Sequence, residues 1–411
     1  MACLLVVHFA IESRMRSTAR DHLYSFRDHG RHECIYLNLA VRSVPRWVLE
    51  APVDLIIFHT SFLCTRWNRS RFPNYVERAA PLQSMAAPKI VIPQDDFINI
   101  DLLCDFIRGF GIEWIFTPAF EHDWATIYAD VDRDRVNLRT VLTGYLNQNT
   151  ISAAESFARR DDDRPLDIGY RARRVGPELG RHGILKSRIA DVFSQSTEGC
   201  GLNIDISQNE EDTLYGDDWY RFLQSCKYTI GVEGGASLLE LNSSVHERTM
   251  AYLATHPQAE FEEVEQACFP GLDGNIKLFV ISPRHLEACV TRTCQILIAG
   301  QYNDILKPDR HYLPLKRDFS NLDEVLIAVR SDGRRASIVE QAHEDIVASG
   351  RYTYRSFVDL VVSTSLGDDD GHRQPLDSTL RNRVVAFEKN SWRLVQGREV
   401  LKKTLRTLRL R

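Results

Sequence analysis

Met1 to Ala10 (MACLLVVHFA), Val53 to His59 (VDLIIFH) and Lys89 to Pro93 (KIVIP) are short apolar runs with no polar alternation. Runs of this length and composition predict strands covered on both faces, which is the condition of a parallel sheet. Glu33 to Leu39 (ECIYLNL) and Trp114 to Thr117 (WIFT) add two more strands, and helical spacing falls between them at Ser17 to His29, Asn74 to Met85 and Asp101 to Phe110. Strands that alternate with helices are βαβ units. The first 150 residues therefore predict one doubly wound domain. Met1 to Ala10 lacks a basic leading region and a small-residue cleavage site, so it is expected to be a buried strand and not a signal peptide.

Working outward, the charge-dense stretch Ala158 to Pro165 (ARRDDDRP) has the composition of a linker. Beyond it a second series begins. Leu166 to Tyr170, Leu202 to Ile206, Tyr228 to Val232 and Thr293 to Ile298 read as strands, with His182 to Phe193, Trp219 to Ser225 and Ser282 to Val290 as helices. The expected organisation is a domain over 1–157, a linker over 158–165, a second doubly wound domain over 166–365 and a basic helical tail over 366–411. His372 to Arg411 holds eleven Lys and Arg against three Asp and Glu. Its last part, Val400 to Arg411, sets Leu401, Leu405 and Leu408 on one helical stripe among cations. That pattern suits either an anionic membrane surface or a helix packed on the body with a solvated basic face.

Composition narrows the function. The 411 residues are 44% hydrophobic and 26% charged, which is ordinary globular composition. With 51 Lys and Arg against 56 Asp and Glu, the net charge of −5 argues against nucleic acid as a partner. Nine cysteines without a C-x-x-C spacing predict free thiols in a reducing cytoplasm. No run reaches the roughly 18 apolar residues of a membrane span.

Open parallel sheets bind ligands beyond the carboxyl ends of their strands, so residues just after strands are the ones to weigh. Asp167 to Arg174 (DIGYRARR) leaves the first strand of the second series, and Lys186 follows in the next helix. Taken alone this is a solvated basic loop or a diphosphate site, since guanidinium and ammonium groups jointly neutralise such a ligand. Glu233-Gly234-Gly235-Ala236 is a strand end running into a glycine turn, where backbone N–H groups can approach an anion. At Ser282-Pro283-Arg284 an N-cap serine and an N1 proline open a helix whose positive end is a further anion site. Glu287 in that helix is either a solvent-face residue or a ligand for vicinal hydroxyls such as a ribose. Ala299-Gly300-Gln301-Tyr302 is another strand running into a glycine loop.

The order of these motifs, with Ser-Pro-Arg-x-x-Glu-Ala at Ser282 to Ala288, Asp318-Phe319, and Ala342 to Phe357 (AHEDIVASGRYTYRSF), resembles bacterial GT-B glycosyltransferases. It is most similar to the spore-maturation-protein type and the retaining nucleotide-sugar transferases. The resemblance covers about residues 160–360 in motifs and the first 150 in architecture only. It implies an α/β fold of two Rossmann-like doubly wound domains facing a cleft, with no metal and no cofactor beyond the nucleotide-diphosphate sugar itself as substrate. It makes Arg171 or Arg173 and Lys186 the diphosphate ligands, with Gly234, Gly235, Ser282 and Arg284 on the donor side. Glu287 would take the ribose, and Gly300 to Tyr302 would lie near the phosphates or sugar. Many relatives carry a glutamate eight residues before the ribose ligand; here that position is Phe279, and Glu233 is a substitute by location.

In the first domain His8, His59 and Gln94-Asp95-Asp96 stand at strand ends. An inverting transferase needs a base for the acceptor hydroxyl, and Asp95, directly after KIVIP, is the better candidate, with His59 as another. A retaining enzyme would rest on phosphate and positioning instead. Asp96 reads as a helix cap. No H-E-x-x-H or strand-end D-x-D occurs, and Asp161 to Asp163 and Asp368 to Asp370 read as solvated charge. The expected activity is sugar transfer to a saccharide or lipid-linked saccharide in bacterial surface glycan synthesis, in the cytoplasm or at the inner face of the cytoplasmic membrane. A GT-B-shaped epimerase or hydrolase, or a non-catalytic glycan-binding protein, is the alternative.

Overall fold

A computed structural model describes residues 1–11, 15–160, 163–331, 333–367 and 376–409; of 402, 403 and 405–409 it describes the backbone only. Asp161, Asp162, the acidic run Asp368 to Asp370 and the side chains of Leu405 and Leu408 lie outside the described residues.

The chain forms two compact units. Unit 1 comprises Met1–Val141, Leu241–Ser243 and Phe357–Arg411; unit 2 comprises Leu142–Glu240 and Ser244–Ser356. Unit 1 is built on β1 (Cys3–His8), β2 (Glu33–Asn38), β3 (Leu55–His59), β4 (Lys89–Ile92), β5 (Trp114–Thr117) and β6 (Asn137–Thr140), in the order β2-β1-β3-β4-β5-β6. All its pairings are parallel. Every residue of β1, β3 and β4 is buried, as continuous apolar runs require. At the edge, β6 (NLRT) is half exposed and too polar for its sequence to mark it as a strand.

Unit 2 carries β7 (Leu166–Arg171), β8 (Ile204–Ser207), β9 (Cys226–Gly231), β10 (Gly234–Ala236), β11 (Leu278–Val280), β12 (Cys294–Ile298) and β13 (Leu313–Leu315). Its main sheet is parallel in the order β13-β12-β9-β7-β8, and β10 pairs antiparallel with β11. Pro314 sits in β13 at the sheet edge, the place where a missing N–H donor is tolerated. Ile168, Ile230, Ile296 and Leu315 from four strands close on Ile189 and Phe193 of the Gly180–Ser196 helix to form the core.

The division differs from the expected one at both ends. The helix Gln148–Ser156 belongs to unit 2, because Ile151 and Ala154 pack with Tyr220 and Leu286, and the Ala154 carbonyl accepts Gln224 Nε2 at 2.6 Å. Arg164, read as part of a solvated linker, is buried instead. Its guanidinium donates to the carbonyls of Cys226 and Thr291, both at 2.8 Å. From Phe357 onward the chain belongs to unit 1, so the tail is not a separate appendage. On the long helix Ser378–Arg409, Glu388 pairs with Arg27 at 2.9 Å, Trp392 Nε1 donates to Tyr24 Oη at 3.0 Å, and Arg398 reaches the Ala40 carbonyl at 2.6 Å. Val384, Phe387 and Val395 are buried against that body. Among the described residues no helix is long and apolar enough to cross a membrane. All nine thiols are free, six of them buried.

Candidate functional site

In unit 2 the chain runs from β7 out to β8 on one side and then to β9, β12 and β13 on the other. The reversal opens a crevice at the carboxyl ends of β7 and β9, the position at which such sheets bind ligands. Arg171 ends β7; Val232 and Glu233 follow β9; Ala299 and Gly300 follow β12; Lys316 and Arg317 follow β13.

Glu233 organises the crevice. Its side chain is buried, and Oε1 accepts the backbone N–H groups of Tyr302 at 2.7 Å and Gln301 at 3.0 Å. A Cβ on Gly300 would collide with that carboxylate, which explains the glycine. Burial raises the Glu233 carboxyl above its ordinary value, against the two N–H groups and Arg317. Gly235 has φ +95° and its Cβ would overlap the Leu278 carbonyl, so the β10–β11 pairing also demands glycine.

Around Glu233 stand cations and neutral imidazoles. His182, on the helix that also carries Lys186 one turn later, approaches the Glu233 carbonyl at 3.2 Å and stacks on Phe279 with ring centroids 3.8 Å apart. Arg317 Nη2 lies 3.1 Å from His182 Nδ1 and spreads over the same Phe279 ring. Burial, then the Arg317 and Lys186 charges, lower His182 to about 3. His285 is lowered to about 3 by burial, Arg284 and Lys186. Both rings are therefore uncharged at neutral pH, and the positive charge of the crevice rests on Lys186, Arg284 and Arg317.

Ser282 caps the helix Pro283–Val290 in a reciprocal box with His285, whose Nδ1 accepts the Ser282 N–H at 3.0 Å. Arg284 Nη1 donates to the Arg171 carbonyl at 2.8 Å. Tyr170, Trp219, Arg284 and His285 line a small recess of about 10 Å³, room for a single water. Glu287 is buried in the same helix and accepts Trp219 Nε1 at 2.7 Å and Tyr220 Oη at 3.3 Å.

The structure thus brings Lys186, Glu233, Gly234, Ser282, Arg284, Gly300 and Tyr302 into one neighbourhood. It turns the Arg171 and Arg173 guanidinium groups elsewhere. The Arg171 guanidinium donates to Asp205 at 2.7 Å and stacks over Phe222, while the half-exposed Arg173 pairs with Glu210 on the surface. Arg317 and His182 escaped sequence reading. The signals were present: two cations follow the strand that Pro314 disguises, and His182 precedes Lys186 by one helical turn.

The other two candidates lie in unit 1. Asp95 follows β4, and its Oδ2 accepts Trp67 Nε1 at 3.0 Å and the Cys64 thiol at 3.3 Å. His59 ends β3 fully buried: Nδ1 accepts the Ser61 N–H at 3.1 Å and Nε2 lies 2.9 Å from His22 Nδ1. Burial, with His22 and His8 adjacent, holds it well below the usual imidazole range. Asp96, expected as a helix cap, is instead an interior carboxyl that accepts the Tyr128 hydroxyl at 2.8 Å and the Thr117 hydroxyl, and burial raises it to about 6. Among the described residues no group of three or more His, Cys, Asp or Glu is placed to hold a metal ion.

No family model and no curated relative matches the chain. Solved structures do. Anabaena HepE in complex with UDP superposes with a TM-score of 0.50 at 10% identity, covering 89% of this chain and 99% of that one. An alpha-glucosyltransferase in complex with UDP and a 13-mer DNA containing a HMU base gives 0.50 at 10% identity, covering 89% and 98%. Sucrose-phosphate synthase from Thermosynechococcus elongatus is similar at 8% identity, with a TM-score of 0.48 and coverage of 89% and 98%. With its two parallel α/β sheets and C-terminal helix, the chain has the GT-B fold that HepE and the alpha-glucosyltransferase share over nearly their whole length.

Proposed function

We propose that the protein is a glycosyltransferase that takes its sugar from a nucleotide-diphosphate donor held by unit 2 and passes it to a saccharide or lipid-linked saccharide. The observation that carries this reading is the convergence of Lys186, Arg284 and Arg317 with the Ser282-capped helix at the carboxyl ends of β7, β9, β12 and β13. Three cations and a helix N-terminus neutralise a diphosphate without further help, and Glu287 serves the ribose. Two solved structures of the same fold hold UDP, which supports the nucleotide assignment.

In this reading Glu233 holds the Gly300–Tyr302 loop against the donor, and the neutral His182 positions Arg317 through its Nδ1 without adding charge. Electrostatic stabilisation of the leaving diphosphate is then the principal catalytic contribution of unit 2. The distal end of the last helix, where Val400 and Leu401 are exposed, is the surface for peripheral contact with an anionic membrane.

The test is a thermal-shift screen over UDP, UDP-glucose, GDP, CMP and dTDP, followed by product analysis with and without acceptors. A nucleotide at about 100 times its dissociation constant should stabilise the chain by about 2.7 kcal/mol. Absence of a shift with every nucleotide overturns the reading. Product formed without acceptor would make the enzyme a hydrolase or epimerase.

A further inference from the structure

At the carboxyl edge of unit 1, a fully buried arginine fixes a surface tryptophan and a carboxylate beside each other. β3 runs into a short helix (Thr60–Leu63) and a 3-10 turn (Cys64–Trp67), while Asp95 follows the neighbouring strand β4. Arg66 lies between the two segments with 0% of its surface exposed. Its Nε donates to the Ile98 carbonyl at 3.0 Å, Nη1 to the Leu63 carbonyl at 2.9 Å, and Nη2 to the Asp95 carbonyl. Asn99, in the left-handed region at φ 47°, returns its Nδ2 to the Arg66 carbonyl at 2.9 Å, and its Oδ1 accepts the Ser243 hydroxyl at 2.6 Å.

A buried guanidinium satisfied chiefly by carbonyls is a costly way to build a core, and an apolar side chain would fill that space more cheaply. What the arginine achieves is placement: both segments are tied to one rigid fork. The groups so placed are Trp67 and Asp95. Trp67 is 45% exposed, although tryptophan is among the side chains most favoured by burial. Its indole N–H is spent on Asp95 Oδ2 and its edge meets the buried Phe97 ring at 87°, which fixes the orientation of the exposed ring. Cys64 also donates to Oδ2, and no hydrogen bond to Asp95 Oδ1 occurs among the described residues.

We infer that Trp67 and Asp95 form a saccharide-binding platform, on which the C–H face of a pyranose lies against the indole while an adjacent sugar hydroxyl donates to Asp95. The face of an indole carries negative π density, and the axial C–H bonds of a pyranose present weakly positive hydrogens to it. Stacking of that kind leaves the ring hydroxyls at the rim, where the carboxylate stands. A nucleotide fits less well, because its phosphates meet the Asp95 charge. In the context of the proposed transferase this platform is the acceptor subsite, and its identification as such rests on that reading. Binding of a sugar to it does not.

The experiment is a tryptophan-fluorescence and calorimetric titration of the full chain, without donor, using methyl glycosides of glucose, galactose, mannose and N-acetylglucosamine, with uridine and adenosine as a separate arm. At least one glycoside should bind and quench. Trp67→Ala should weaken it by about tenfold or more, Trp67→Phe should restore part of the affinity, and Asp95→Asn should weaken it without changing the fold by circular dichroism. UDP binding should be unchanged in all three variants. If no glycoside binds the unaltered chain, if binding survives both Trp67→Ala and Asp95→Asn, or if only the nucleosides bind through Trp67, the proposal is overturned. Failure of UDP to bind would refute the transferase reading alone.

Discussion

One carboxylate oxygen of Glu233 accepts the backbone N–H groups of both Tyr302 and Gln301, so the loop after β12 is fastened to the end of β9 by a single buried side chain. Glu233→Ala leaves two interior donors unpaired at about 1–3 kcal/mol each. Glu233→Gln keeps an acceptor in place and should cost far less. Urea denaturation of the two variants checks this. Equal stability of Glu233→Ala and the parent chain would show that the loop is held elsewhere.

Lys186 and Arg317 reach the Glu233 crevice from different elements, a helix and a strand end. Replacing either by alanine should weaken UDP binding by about 2 kcal/mol or more, since truncating one partner of a desolvated charge pair costs that much. Arg173→Ala, on a surface ion pair with Glu210, should leave binding unchanged. Calorimetry ranks the three variants, and a larger loss for Arg173 than for Arg317 would relocate the diphosphate.

Acid should destabilise the protein. Burial lowers His8 to about 3, His22 to about 4, His182 and His285 to about 3, and His59 well below its usual range. The unfolded chain takes up those protons near pH 6.5 and the folded chain refuses them, so this contribution is complete above about pH 6.5 and is lost as the pH falls. Asp96, raised to about 6, and Glu233 act with the opposite sign, because the folded chain binds their protons first. Five imidazoles outweigh two carboxyls. The urea midpoint should fall between about pH 7 and 5, and Asp96→Asn should steepen that fall. A midpoint that rises on acidification would contradict the assignment of neutral buried imidazoles.

The C-terminal helix divides into a part that unit 1 needs and a part that it does not. Removal of Ser378 to Arg411 strips Glu388 from Arg27 and Trp392 from Tyr24, and uncovers the face on which Val384, Phe387 and Val395 pack. Loss of three such apolar side chains costs about 1.5–3 kcal/mol each, enough to unfold unit 1 or nearly so. Truncation after Gln396 leaves those three apolar side chains in place and removes the Arg398 bond to Ala40, at about 1 kcal/mol. Differential scanning calorimetry separates these outcomes. The Gln396 truncation should also abolish salt-sensitive sedimentation with anionic vesicles; retention on vesicles would place the membrane contact elsewhere.

Local pattern alone determined the two parallel sheets. β1, β3, β4 and β12 are buried along their whole length and carry four or more consecutive apolar residues, or three in β4 and β12, because both of their faces are covered, and that requirement is written into consecutive residues. The Ser282 cap and the cation at Lys186 were legible for the same reason, since each is a local choice in or near the first turn of a helix, whereas the glycine turn expected at Gly234–Gly235 is instead the short strand β10, formed by pairing with the distant β11. Edge strands were not legible. β6 is polar and β13 contains Pro314, because an edge needs neither two apolar faces nor every N–H donor. Tertiary structure alone decided which cations share a crevice: it draws Arg317 to His182 across 135 positions and turns Arg171 toward Asp205. It likewise assigned the tail to unit 1, buried Arg164 in what reads as a linker, and set Trp67 beside Asp95. Contacts of that range depend on where whole strands lie in the sheet, a quantity that no window of neighbouring residues contains.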